Sequence, residues 1–326
     1  MLSLKDRYLA TLWGLHIGDA IWAPYETKTS DEVAQLLQAQ QLRFHKYKNP
    51  WPADDNGEFL PAGRPTDDTD QAADLCHSLL LRRGVDQHHL RLSLQGSVIH
   101  GKSRLWSGQA TGAGGTTRRA LSENLQQQAE ARSNPIASNG SLMRSAPMAL
   151  LLGPTASGYT SATGVDYHMV KAMSEVTHSH PDSVSACWLY VRMLRNAMAN
   201  RDIADIQPAN DFDQRIMKYL RAIDTGCGLP EDPGSFKAGW GGAEYTLKVA
   251  LHMIRTANSF EETILDVGLV GGDTDTYGAV AGGLAGAIYG TKAIPRKWRN
   301  AILGKKPMQS YAQQLFAAYM NRTENV

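Results

Sequence analysis

A chain of 326 residues with 42% apolar side chains can bury a substantial core. Its 33 basic and 32 acidic residues leave a net charge of +1, so no broad field points to nucleic acid or a membrane surface. The most apolar run, Tyr277 to Tyr289, is too short to cross a bilayer; Cys76, Cys187 and Cys227 lack metal-binding spacing, and the start of the chain lacks a signal-peptide apolar region, so a reducing, cytoplasmic location is expected.

Tyr8, Thr11, Leu12 and Leu15 fall at i, i+3, i+4 and i+7, one face of a first helix that Pro24 ends. Gly14 and Gly18, four apart, let another backbone come close. Asp19 and Glu26 are acids at the end of this apolar segment and read, from the residues alone, as a helix cap and a solvated side chain. A second helix is expected over 31–41. From Asn49 to Arg64 three prolines and the run Asp54-Asp55-Asn56-Gly57 predict an irregular loop; that run has a calcium-loop start without the downstream ligand spacing, so it reads as a turn. Thr66-Asp67-Asp68-Thr69-Asp70 then precedes a helix with the stripe Ala72, Leu75, Cys76 and Leu79. The positive end of the helix dipole favours carboxylates there.

Residues 85–110 predict a helix ending near Gly101 or Gly108. Thr111-Gly112-Ala113-Gly114-Gly115-Thr116-Thr117 enters another, and a glycine-rich loop before a helix offers backbone N–H groups to a phosphate. It matches neither the P-loop nor the dinucleotide pattern. Ser138-Asn139-Gly140 is turn chemistry leading through Met143 and Arg144 to a short apolar helix. His178 and His180 sit before Pro181 at a helix start, with Val184, Cys187, Trp188 and Val191 as its core face. Residues 200–240 are polar and predict a surface excursion. Trp240-Gly241-Gly242 opens a helix, and Phe260 to Val270 forms another. Gly271-Gly272-Asp273-Thr274-Asp275-Thr276 follows, between flanks that read as buried, Leu265–Val270 and Ala279–Ile288. Gly278, Gly282, Gly286 and Gly290 then make one bare helix face. No strand pattern, short repeat or linker divides the chain, so one all-α domain over 1–326 is expected.

The two Asp/Thr clusters lie about 200 residues apart and could each be a helix cap. Burying paired carboxylates costs several kcal/mol each unless a cation or hydrogen bonds compensate. Together they offer only carboxylate and hydroxyl oxygens, a ligand set for Mg²⁺ or Mn²⁺ rather than Zn²⁺.

Gly18-Asp-Ala…Pro24…Glu26, Thr66-Asp-Asp-Thr69, Asn139-Gly…Met143-Arg144…Pro147, Thr177-His178…Pro181 and Gly271-Gly-Asp-Thr-Asp-Thr276 before a Gly/Ala helix resemble, in order along the chain, the motifs of the ADP-ribosylglycohydrolase family. The resemblance implies a compact orthogonal helical bundle and hydrolysis of an ADP-ribosyl bond, with arginine N-glycosides as first choice and serine O-glycosides, poly(ADP-ribose) or ADP-ribosyl nucleic acid as alternatives. It implies two Mg²⁺ ions, or Mn²⁺, held by Thr66, Asp67, Asp68, Asp273, Asp275 and Thr276, with Asp275 bridging. Asp275, Glu26 and Asp68 are the expected catalytic acids, and either Asp275 or Glu26 could handle the proton. Gly112, Gly114, Gly115, Ser138, Asn139, Gly140 and His178 would contact ADP-ribose; Arg144 would meet an acidic cluster or a phosphate, or make a structural salt bridge. The implied partners are ADP-ribosylated protein and ADP-ribose. Two competing readings are an immunity protein that reverses or blocks a toxin ADP-ribosyltransferase, and a two-metal phosphohydrolase releasing AMP.

Overall fold

The computed structural model describes residues 2–39, 41–48, 59–154, 164–225 and 241–323. These contain fifteen α-helices: α1 (Leu4–Trp22), α2 (Ser30–Ala39), α3 (Asp67–Arg82), α4 (Gln87–Val98), α5 (Gly115–Leu121), α6 (Leu125–Ser133), α7 (Ala146–Leu152), α8 (Val165–Glu175), α9 (Pro181–Met198), α10 (Asp211–Thr225), α11 (Ala243–Thr256), α12 (Phe260–Val267), α13 (Thr274–Tyr289), α14 (Arg296–Ala301) and α15 (Lys305–Thr323). The fold is all-α. Its strands are one two-residue antiparallel pair among the described residues, Tyr47–Lys48 against Phe59–Leu60.

At the centre, α1 and α13 cross as an antiparallel pair. A Cβ placed on Gly14 would lie 2.0 Å from the carbonyl oxygen of Gly282, and one on Gly18 would lie 1.9 Å from that of Gly278. One turn further on, a Cβ on Gly286 would lie 2.0 Å from the oxygen of Ala10; Gly290, expected on the same face, is instead the C-cap of α13 with φ of 75°, because the helix ends at Tyr289. The two glycine patterns are therefore the two halves of one contact, and no side chain separates the backbones. Tyr190 on α9 donates to Val280 O at 2.9 Å across the same crossing. The other helices wrap this pair: α11, α12 and α9 lie against α13, and α15 and α3 against α1. As a result α1 is buried all round, Arg7 and Thr11 included. The one-sided face expected for it does not describe the helix. Arg7 is accommodated because its guanidinium caps the far end of α13, donating to Ala287 O at 2.5 Å and to Asn200 Oδ1 at 2.9 Å.

Other expectations shift in detail. The helix expected over 85–110 ends at Val98, and Gly101 takes a left-handed turn with φ of 64°. The polar stretch from 200 contains α10, whose buried face is Phe212, Ile216, Met217, Tyr219 and Leu220. The apolar i, i+4 pattern was there, diluted by charged neighbours. Upstream of the Asp273 cluster, Leu265 and Leu269 are exposed, so that flank is only partly buried; the downstream flank, Ala279 to Ala287, is wholly buried. Cys76 and Cys187 are buried free thiols. The turn expected at Asp54–Gly57, Cys227 and Trp240 lie outside the described residues.

Gly18→Ala should destabilise the protein by about 3 kcal/mol or abolish folding, because neither backbone can retreat. Gly96→Ala on α4, where an added methyl meets nothing within 4 Å, should instead stabilise by about 0.5–1 kcal/mol. Urea denaturation of the two variants checks this; equal effects would mean the crossing is looser than it stands here.

Candidate active site

Three chain segments bring acids to one cleft of about 230 Å³. The first follows α1. Pro24 sits in a 3₁₀ turn, Ala23–Tyr25, after which Thr27 N donates to Gly272 O at 2.8 Å and Gly272 N to Lys28 O at 2.7 Å. Gly271 and Gly272 have φ of 74° and 82°, and a Cβ on Gly271 would lie 2.5 Å from Ser30 N. Glycine is needed to form this clasp. It sets Glu26 beside Asp273 and Asp275, whose carboxylate oxygens approach within 4.8 Å of one another.

The second segment is the start of α3. Thr66 is its N-cap residue, yet its hydroxyl makes no cap bond. Asp19, arriving from α1, takes that role. It accepts from Thr66 N at 3.0 Å, from Thr66 Oγ1 at 2.8 Å, from Thr69 N at 3.1 Å and from Thr69 Oγ1. Asp19 does cap a helix, as the residues alone suggested, but a helix about 50 residues away in sequence. With the N-terminal donors satisfied from outside, Asp67 and Asp68 need not cap their own helix and line the cleft instead.

The third segment is the start of α13. Asp273 is held by Asn139 Nδ2 at 2.7 Å, which also donates to Thr246 Oγ1 at 2.8 Å. Thr274 anchors the turn to Trp22 O at 3.0 Å, and Asp275 accepts from Thr276 N at 2.9 Å.

Besides the acids, the cleft is lined by Gly112, Gly114, Gly115, Thr116 and Thr117, with Ser138, Asn139, Gly140, Met143, His178 and Gly241 completing the wall. Of the residues expected to hold metal or substrate, only Thr66 does not line the cleft; it is fully buried, and its hydroxyl bonds Asp19 and, at 3.2 Å, Asp68. Arg144 makes no ion pair among the described residues and does not itself line the cleft, but it bonds the wall from behind through Gly140. It is fully buried and donates to Gln71 Oε1, Gly140 O and Thr177 Oγ1 at 2.8, 2.9 and 2.6 Å. His180 is the N-cap of α9, accepting from Asp182 N at 3.1 Å. Sequence reasoning missed Gln71, which donates to Asp67 Oδ2 at 2.6 Å. The available signal was its i+4 spacing from Asp67 on one helix face.

Electrostatically the site is strained. Burial, and then neighbouring carboxylates, push Asp67, Asp68 and Asp275 well above the ordinary carboxylate range. Burial raises Asp19 to about 6 even against its four hydrogen bonds, and Asp70, below the cleft, to about 7. Asp68 Oδ1 is buried with no hydrogen-bond partner. An all-oxygen set of crowded, buried acids with an unsatisfied oxygen fits a hard divalent cation.

The family model for ADP-ribosylglycohydrolase matches residues 1–325. ADP-ribosylarginine hydrolase Tri1 of Pseudomonas putida (strain GB-1) is 27% identical over 95% of this chain and 78% of its own. ADP-ribosyl-[dinitrogen reductase] glycohydrolase of Rhodospirillum rubrum is 28% identical over 92% and 91%. A solved structure described as an ADP-ribosylglycohydrolase-related protein complex superposes with a TM-score of 0.68 at 28% identity, covering 97% of this chain and 99% of the other. Fold, cleft and matches define the class: an all-α hydrolase that removes ADP-ribose. The chain belongs to the ADP-ribosylglycohydrolase family. None of the helices among the described residues is long and apolar enough to cross a membrane.

The crowding has a measurable consequence. A carboxylate whose pKa is raised on folding keeps a proton that the unfolded chain has lost, so stability falls as pH rises towards the folded value. Buried His16 and His178, both lowered to about 3, act in the opposite sense, but the raised acids outnumber them. In EDTA the urea midpoint should therefore fall as pH rises towards about 7, the folded value of Asp70, each acid that is still protonated contributing up to about 1.4 kcal/mol per pH unit. A midpoint that stays level or rises would show these carboxylates already ionised in the fold.

Proposed function

We propose that this hydrolase releases ADP-ribose from modified protein side chains in a divalent-metal-dependent reaction, with N-glycosidic ADP-ribosylarginine as its substrate. The observation that carries the metal dependence is the convergence of Glu26, Asp273 and Asp275 within 4.8 Å, with Asp67 and Asp68 in the same cleft. The arginine linkage is supported by the activity named for the Pseudomonas relative.

Two Mg²⁺ ions, or Mn²⁺, would be held by Asp67, Asp68, Asp273, Asp275 and Thr276, with Glu26 beside the Asp273 group and the buried hydroxyl of Thr66 behind Asp68. Such ions supply Lewis acidity and lower the pKa of bound water. The chain's own groups do the rest. The carboxylate wall stabilises the oxocarbenium character that builds as the modified side chain departs. Thr116, Thr117, the glycines of the Gly112–Gly115 loop and Gly140 share the cleft with the acids, and their hydroxyl and backbone N–H groups would supply the neutral donors that a diphosphate needs. Proton transfer falls to Asp275 or Glu26, the two acids that share the Asp273 group. The cleft, at about 230 Å³, is smaller than the about 300–1,000 Å³ of a pocket enclosing a whole small molecule, which suits a site that encloses the reacting ribose and leaves the rest at an open rim.

An arginine-ADP-ribosylated protein should yield free ADP-ribose with Mg²⁺ and none with EDTA. Asp67→Ala and Asp273→Ala should each lower turnover by about 100-fold or more while keeping the helical circular dichroism. Wild-type-like turnover in both would overturn the metal assignment, and release of AMP instead of ADP-ribose would overturn the bond assignment. Glu26→Gln that still binds ADP-ribose but does not turn over would give the proton to Glu26; full activity would give it to Asp275.

A further inference from the structure

Arg144 is a fully buried cation whose guanidinium makes no ion pair with a carboxylate among the described residues. Each of its three hydrogen bonds leads to a different part of the cleft. Through Gly140 O it fixes the Asn139–Gly140 turn. Through Gln71 it reaches Asp67: the amide oxygen accepts from Arg144 at 2.8 Å and the amide nitrogen donates to Asp67 Oδ2 at 2.6 Å. Those two partners leave only one orientation for the Gln71 amide. Through Thr177 it reaches His178.

The third branch bears on a proton position. Thr177 Oγ1 accepts from Arg144 Nη2 at 2.6 Å, so its own hydroxyl proton is directed to another acceptor. His178 Nδ1 lies 2.7 Å away, and in the arrangement proposed here it is the acceptor of that proton. A ring nitrogen that accepts carries no proton, so the proton of the neutral imidazole resides on Nε2. That nitrogen faces the cleft beside Gly140: a Cβ on Gly140 would lie 3.0 Å from it, which leaves no room for any larger residue there. Burial, with Arg144 nearby, keeps the ring neutral by lowering its pKa to about 3.

We propose that Arg144 is a positioning residue that, through Thr177, fixes His178 as a neutral Nε2–H donor to a substrate oxygen, and through Gln71 ties the same guanidinium to the carboxylate of Asp67. The inference rests on the reading of the cleft as the ADP-ribose site. It explains why a cation is buried one shell behind an acidic cleft. An arginine in direct contact would neutralise a carboxylate the reaction uses, whereas a relayed one orients Asp67 and His178 and leaves both facing the cleft.

The test uses the full chain with ¹⁵N-labelled histidine in Mg²⁺ buffer. Long-range ¹H–¹⁵N spectra should show His178 as the single Nε2-protonated tautomer at pH 7, without substrate. In Thr177→Val its ring nitrogens should move towards values averaged over two exchanging tautomers. ADP-ribose affinity by calorimetry should fall about five- to tenfold, the worth of one neutral hydrogen bond, with Mg²⁺ affinity retained. Thr177→Ser, which keeps the hydroxyl, should restore both. Nδ1-protonated or charged His178 in the wild type would overturn the proposal, as would a Thr177→Val protein with unchanged spectrum and affinity. If the wild-type protein shows the Nε2 tautomer and Thr177→Val loses it, yet ADP-ribose does not bind the wild type, the relay stands and the substrate reading fails.

Discussion

The site depends on the crossing of α1 and α13 without side chains between them. Gly14 and Gly18 on one helix meet Gly282 and Gly278 on the other, so each backbone lies against the other's carbonyls. Such a contact has no slack. Each helix ends or begins in an acid, Asp19 near the end of α1 and Asp275 at the start of α13, and the antiparallel crossing delivers both to the same end of the pair. A larger residue anywhere on this face would wedge the helices apart and move the two acids relative to each other. The Arg7 bond to Ala287 O closes the opposite end, so the pair is held at both ends as well as along its length.

From that rigid pair the remaining parts of the cleft are hung by polar contacts. Asp19 grips the start of α3 with four hydrogen bonds, and so Asp67 and Asp68 are placed relative to α1 rather than by α3 itself. The Gly271–Gly272 clasp brings Glu26 to Asp273, and Asn139 bridges Asp273 to the glycine-rich side of the cleft. Arg64, fully buried, holds the loop that leads to Gly112 by donating to Gln109 O at 2.8 Å, and it lies 5.2 Å from the centre of the Trp106 ring. Each contact works against the mutual repulsion of the acids. A site of this kind is costly to assemble without a cation, and a scaffold with a backbone-to-backbone centre is one that can withstand the cost.

Much of this was legible in the sequence, and for local reasons. The Gly/Ala periodicity of α13 up to Gly286, the Thr66–Asp70 cluster before an apolar stripe, the turn at Ser138–Gly140 and the proline at the start of α9 are all short-range signals, and each element stands where they place it. What was not legible was long-range. Asp19 looks like any acid at a helix end until α3 is brought to it. Gln71 and Arg144 gain their roles only when α3 and the turn after Gly140 are juxtaposed. The amphipathic face of α10 was obscured because its apolar positions are embedded in a polar composition.

The sequence by itself determined the helical class, the two glycine faces, the chemical character of the donor set and the family. These follow from residue type and spacing, which act within a few turns of chain. Only the tertiary structure decided which glycine meets which, that Asp19 caps a helix other than its own, that Glu26 joins the Asp273 group, and that the buried arginine addresses the acids through an amide rather than directly. Those outcomes depend on distances between segments tens to hundreds of residues apart, and side-chain periodicity carries no information about such distances until the backbones have packed.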